Sequence, residues 1–162
     1  MDEQNNKEIQ DDLLGRYLTF HIDDVLYSLP LNHVIEIIGM QRITRIPGVP
    51  NYVKGIVNLR GKVVPISDVR LKFGQPERAY DEETCIIIVV INDMHIGLIV
   101  DKVAEVVTLE KINMTPPSAI DKRAGDSYLD SISTIAGKVI LNIDCAKFFQ
   151  ADMAQIFVVQ DS

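Results

Sequence analysis

The chain repeats itself. Residues Asn51–Phe73, NYVKGIVNLRGKVVPISDVRLKF, return as Ser127–Phe149, SYLDSISTIAGKVILNIDCAKFF, 76 positions further on. At that offset Tyr52 meets Tyr128, Ile56 meets Ile132, Gly61 meets Gly137, Lys62 meets Lys138, Val63 meets Val139, Asp68 meets Asp144 and Phe73 meets Phe149. The preceding parts match at an offset of 69, where Ile22, Asp24, Val34, Glu36 and Pro47 meet Ile91, Asp93, Val103, Glu105 and Pro116. The change of offset places about seven extra residues between Pro116 and Tyr128. Similarity at a fixed offset is the mark of a duplicated structural unit, so whatever fold one half adopts the other must adopt too.

Each half reads as about five short strands. Arg16–Ile22 alternates Tyr17, Thr19 and His21 with Leu18, Phe20 and Ile22, then turns at Asp23-Asp24 into Val25–Leu31. Thr84–Ile91, Asn92-Asp93 and Met94–Val100 repeat that hairpin, with turn residues that tolerate left-handed backbone angles. The β-branched runs Val34–Ile38 and Val103–Thr108 follow, then the rigid loop Pro47-Gly48-Val49-Pro50 and its partner Pro116-Pro117. Gly55–Leu59 and Lys62–Ser67 flank Arg60-Gly61 as a second hairpin. Asp68 is placed to cap a short half-buried helix carrying Val69, Leu71, Lys72 and Phe73.

The expected class is therefore all-β with short helices. Five strands of four to seven residues make a poor open sheet, and a small closed barrel removes the exposed edges. The expected layout is a disordered, polar, acidic tail over residues 1–15, a first barrel over 16–78, a second over 79–150, and a tail over 151–162. Gly74–Glu83 joins the copies. The continuously apolar run Cys85–Ile91 is too hydrophobic for a strand with one wet face and is assigned to the seam between barrels.

Composition removes several functions. A net charge of −7 in 162 residues argues against a nucleic-acid footprint or an anionic membrane surface, and aromatic residues are sparse for base stacking. No apolar run approaches a membrane span, and Met1–Gly15 does not read as a signal sequence. Cys85 and Cys145 lie in apolar surroundings without C-x-x-C spacing, as expected of buried thiols in a cytoplasmic chain. There is no phosphate-cradling loop, the three histidines are scattered, and the carboxylates fall mainly in turns and caps. No enzyme, metal or cofactor is expected.

Comparing the copies separates scaffold from the remainder. Both keep the tyrosine, the turn glycine and the capping aspartate, but Gly55, Asn58 and Arg60 become Ser131, Thr134 and Ala136. The unit folds without the arginine, so Arg60 is assigned to a partner. Glu36 sits among Val34, Ile35, Ile37 and Ile38, where a charge is costly unless exposed or paired. It is expected to pair with Arg60 across neighbouring strands and to fix the guanidinium in a presented geometry.

The run PGVPNYVKGIVNLRGKVVPISDVR, beginning at Pro47, resembles the signature of the CheW family of chemotaxis coupling proteins, with the likeness extending from about Arg16 to Phe149. The resemblance implies two five-stranded, SH3-like barrels around a shared hydrophobic core. It implies a non-catalytic adaptor bridging the cytoplasmic tip of methyl-accepting receptors to the C-terminal regulatory domain of the histidine kinase CheA, monomeric alone and recruited to membrane receptor arrays. Val34, Glu36, Gly55 and Arg60 match family positions of receptor or kinase contact, with Asn58, Leu59 and Gly61 completing the motif. Two alternatives stand beside this: a coupling protein of a surface-motility or second-messenger pathway, and a nucleic-acid-binding small barrel.

Overall fold

A computed structural model describes residues 14–117 and 128–149. Most of the acidic start, the insertion between Pro116 and Tyr128, and the tail Ala151–Ser162 fall outside the described residues. The strands are β1 (Arg16–Ile22), β2 (Val25–Pro30), β3 (Val34–Gly39), β4 (Val53–Leu59) and β5 (Lys62–Asp68) in the first copy. The second copy supplies β6 (Cys85–Ile91), β7 (Met94–Val100), β8 (Lys102–Thr108), the two-residue β9 (Met114–Thr115), β10 (Leu129–Ile135) and β11 (Lys138–Ile143). Helix α1 is Val69–Lys72, and a second helical turn, α2, covers residues 145–149. Asp68 Oδ1 accepts from the Leu71 amide at 3.3 Å and Asp144 Oδ1 from the Lys147 amide at 3.2 Å, so both copies cap the helix as expected.

The strands do not divide between the sheets as the chain divides between the copies. One sheet runs β8-β1-β2-β11-β10-β9 and the other β3-β6-β7-β5-β4. Each therefore takes strands one and two from one copy and the later strands from the other. The expected barrels over 16–78 and 79–150 are corrected accordingly: both are composite. The joints are the parallel pairs β2–β11 and β5–β7, which a hairpin cannot make and which tie segments distant in sequence. The symmetry of the duplication is kept, because the two strand orders correspond position by position.

Closure uses the segment after the third strand. Thr44 and Ile56 exchange backbone hydrogen bonds of 2.9 and 2.8 Å, bringing the chain beyond β3 onto β4 at the far edge of the sheet. In the other barrel β9 pairs with β10 to the same effect. Strand β6 shows why Cys85–Ile91 is apolar throughout. Ile87, Val89 and Ile91 join Leu18, Phe20, Leu29 and Phe148 in the core between barrels, while Ile86 and Ile88 point the other way, onto Val57, Val64 and Ile66. The run has no wet face.

The two barrels fill their interiors differently. Around Ile66 the first is aliphatic, and a Cβ on Gly97 would come within 2.5 Å of Ile66 Cδ1, so glycine makes room for the isoleucine. In the repeat, Ile66 becomes Asn142 and Gly97 becomes Ser28. Asn142 Oδ1 accepts from Ser28 Oγ at 2.5 Å, and its Nδ2 donates to Ser131 Oγ at 2.9 Å and Ser133 Oγ at 2.8 Å, all within the buried interior. A fully connected polar cluster is tolerated in a core, but removing its centre strands the rest. Asn142→Ala is expected to lose about 2–4 kcal/mol of stability, read as a lower urea midpoint at unchanged m-value.

Candidate functional site

The site assembles at the β4–β5 turn. Arg60 and Gly61 have φ of 53° and 82°, both left-handed as a two-residue type I′ turn requires, and Ala136 and Gly137 repeat the geometry at 50° and 76°. The turn itself is scaffold. Asn58 Oδ1 accepts from the Gly61 amide at 3.0 Å and shapes it from outside. The arginine side chain is the addition.

Arg60 Nη2 donates to Glu36 Oε1, with the arginine side chain 70% exposed and the glutamate 26%. The expected pair is formed, by a route that differs from the expectation. Strands β3 and β4 are the two edges of their sheet rather than hydrogen-bonded neighbours, and closure of the barrel brings them together. Along β3, Val34, Glu36 and Ile38 are half-buried while Ile35 and Ile37 are exposed, so Glu36 shares the inward side with two apolar residues. Pairing compensates its charge there. In the second copy Glu105 is exposed, and the residue equivalent to Arg60 is Ala136.

Two further groups lie beside the pair. Lys62 Nζ stands 3.2 Å from His95 Nδ1 at the exposed surface. Burial, then the Lys62 ammonium, holds His95 below the ordinary imidazole value, against the opposite pull of Glu36. Sequence reasoning missed both. Lys62 is shared with the second copy as Lys138 and so looked like scaffold, and His95 reaches the site only through the parallel β5–β7 joint. The exposed Val63 adds apolar surface after the turn. A cationic, partly apolar knob thus stands on an acidic protein.

The other candidates are of a different kind. Val34 packs on the core between barrels and Leu59 on the aliphatic barrel core, each with part of its surface exposed. Gly55 is buried. Its φ is 144°, and a Cβ there would lie 2.0 Å from the Thr44 carbonyl oxygen. Gly55 lets the segment beyond β3 approach β4, so it bears on closure of the barrel. Ser131 is accommodated at the equivalent place because β9 closes onto β10 in a different register. Among the described residues no group of three or more His, Cys, Asp or Glu side chains is arranged to hold a metal ion, and no helix is long and apolar enough to cross a membrane. Cys145 is buried and its thiol is pushed up to about 12 by burial and then by Asp144, which makes it a poor nucleophile at neutral pH.

The fold and this turn define a duplicated small-barrel scaffold with an exposed arginine presented by a paired glutamate. Residues 16–153 match the CheW-like domain. The chain is 30% identical to the chemotaxis protein CheW of Klebsiella aerogenes, over 84% of this chain and 82% of that one. It is 33% identical to the chemotaxis protein CheW of Bacillus subtilis, over 86% and 90%. The crystal structure of the scaffolding protein TtCheW from Thermoanaerobacter tengcongensis superposes with a TM-score of 0.74 at 32% identity, covering 80% of this chain and 88% of that chain. The chain belongs to the CheW family of chemotaxis coupling proteins.

Closure and presentation separate in a stability measurement. Arg60→Ala is expected to change stability by no more than about 1 kcal/mol, since an exposed ion pair contributes little and alanine already occupies this turn position in the repeat. Gly55→Ala meets a backbone carbonyl and is expected to cost more than about 3 kcal/mol or to prevent folding. Thermal unfolding of the two variants beside wild type checks both.

Proposed function

We propose that the chain is a non-catalytic adaptor that couples methyl-accepting chemotaxis receptors to the histidine kinase CheA. The observation that carries this reading is the Arg60–Glu36 pair: an exposed guanidinium, held at a hairpin tip, that the otherwise matching second copy replaces with Ala136. Family membership supplies the class, and the turn supplies the working surface. Glu36, Asn58, Arg60 and Gly61 form its polar part, with Lys62 and His95 beside them. Val34 and Leu59 border it from the cores, and exposed Ile35, Ile37 and Val63 provide apolar area.

Such a surface suits a helical segment of the receptor tip lying in a groove, its apolar side against β3 and a carboxylate near Arg60. The ends of the paired barrels are free to meet the C-terminal regulatory domain of the kinase, which is built on the same kind of barrel. Each contact is individually modest, and linkage of many copies in an array at the cytoplasmic face of the membrane supplies the remaining avidity. The adaptor contributes geometry and needs no cofactor.

A pull-down of the purified protein against a CheA-type kinase and a receptor cytoplasmic fragment tests this, with Arg60→Ala run beside wild type and circular dichroism as the fold control. Wild type is expected to retain both partners. The variant is expected to keep its β-sheet spectrum and lose about tenfold in affinity for one of them, the effect of removing a charge-assisted contact. Retention of neither partner by wild type would refute the coupling role; equal retention by both proteins would refute the assignment to Arg60.

A further inference from the structure

Four ionisable side chains from four segments ring one end of the aliphatic barrel. Side chains alternate along β7, so His95 lies on the face of Gly97, whose Cβ would point at Ile66, Ile86 and Ile88 inside that barrel. On β5, Lys62 shares a face with Val64 and Ile66 of the same interior. Glu36 comes in from β3, and Arg60 reaches it from the β4–β5 turn. Comparing the halves divides the four. Glu36 and Lys62 recur as Glu105 and Lys138, whereas Arg60 and His95 become Ala136 and Leu26. The two groups that depart from the repeat thus stand at the same end of the same barrel.

Hydrogen bonding fixes the state of His95 in the unbound protein. A lysine ammonium only donates, so Nδ1, 3.2 Å from Lys62 Nζ, is the acceptor and the proton of the neutral ring sits on Nε2. Lys62 on β5 opposes a second proton, Glu36 on β3 favours it, and Arg60 holds the Glu36 carboxylate. The cross-strand partner on β6 is the uncharged Val90, and Asp93 stands two positions back in the β6–β7 turn. Strand β1 and helix α1 meet the opposite face of β7 through Leu18, Phe20 and Val69. Arg60 and Lys62 against Glu36 leave one net positive charge at this end, and a proton on His95 makes two. An anion brought by a partner removes the obstacle, because it draws Lys62 off Nδ1 and stabilises the imidazolium.

We propose that this barrel mouth is a proton-linked site for a carboxylate-bearing segment of the partner protein, with His95 taking up one proton from solvent on Nδ1 as the segment docks against Arg60 and Lys62. Such a site rests on the reading of the β4–β5 turn as the partner surface, and it adds control of that contact by pH. The sign follows from linkage. A group that holds its proton more tightly in the complex than in the free protein strengthens binding as pH falls through its bound value towards its free one. For His95 the free value lies below the ordinary imidazole range, so the gain develops on the acid side of neutrality.

The test titrates the His95 imidazole of the full chain by NMR, alone, with a penta-glutamate peptide, and with the receptor cytoplasmic fragment or the CheA-type kinase. Acidic ligand is expected to raise the midpoint by about half a unit to one unit, and partner affinity is expected to rise about three- to tenfold between about pH 8 and about pH 6. His95→Gln, neutral throughout, is expected to bind with the same affinity at both pH values. Lys62→Met is expected to raise the midpoint in the free protein, since it removes the opposing ammonium. A midpoint that ligand leaves unmoved, no rise in Lys62→Met, or a wild-type pH dependence in His95→Gln would overturn the proposal. Failure of both proteins to bind wild type at any pH would refute the coupling role instead. A saturable rise with the peptide would then sustain the site, and its absence would overturn it.

Discussion

Exchange of strands between the two copies is the constraint on which the structure depends. Each barrel needs the first hairpin of one copy and the later strands of the other, joined by the parallel pairs β2–β11 and β5–β7. Neither half of the chain holds a complete barrel, so neither can close its sheet alone. The shared core follows: Leu18, Phe20 and Ile22 of β1 meet Ile87, Val89 and Ile91 of β6, with Val69 and Phe148 from the two helices. Lys72 crosses this seam as well, its Nζ within 4.4–5.0 Å of the ring centroids of Tyr52, Tyr128 and Phe148 while it donates to the Phe148 carbonyl. A cation on aromatic faces is held best where water is excluded. The β4–β5 turn depends on this arrangement for its ion pair, since Glu36 and Arg60 meet only when the composite barrel closes.

A duplicated fold also shows how much freedom its scaffold leaves. The same strand order encloses an aliphatic interior around Ile66 and a hydrogen-bonded one around Asn142, and the choice at one position dictates the other. Glycine at 97 accompanies the isoleucine, whereas serine at 28 accompanies the asparagine. Polar residues inside a small barrel are acceptable when every donor has an acceptor. The halves therefore diverge by compensated sets of changes rather than by isolated ones.

Much of this was legible in the chain before any coordinates. Repeat offsets place the strands, the Asx and Arg-Gly turns, and both helix caps, because these depend on local chemistry. The Glu36–Arg60 pair was legible too, since a glutamate inside an isoleucine run needs a partner and the copies differ in one. The exchange was not. Parallel pairing leaves no turn between its strands, so nothing local distinguishes a swapped hairpin from an unswapped one. The part Gly55 plays in closure was hidden for a related reason: its exchange for Ser131 accompanies two ways of closing a sheet, and nothing local shows that. Arg70 passed unnoticed because a charged residue on a four-residue helix reads as solvated until two distant turns are seen to surround it.

Arg70 and Arg60 sit at opposite ends of the energetics of ion pairs. Arg70 is nearly buried against Asp23 and Asp101, and removing those carboxylates would leave a largely desolvated charge behind. It is fixed, and suited to holding turns together. Arg60 is mostly exposed and its pair with Glu36 contributes about 0–1 kcal/mol, so exchanging that glutamate for a carboxylate on another protein is nearly neutral for the fold. On the proposed reading of Arg60 as a contact residue, this is a favourable place for it. The glutamate orients the side chain while the surface is free, and because the pair adds so little to stability, little of the partner's binding energy is lost in displacing it.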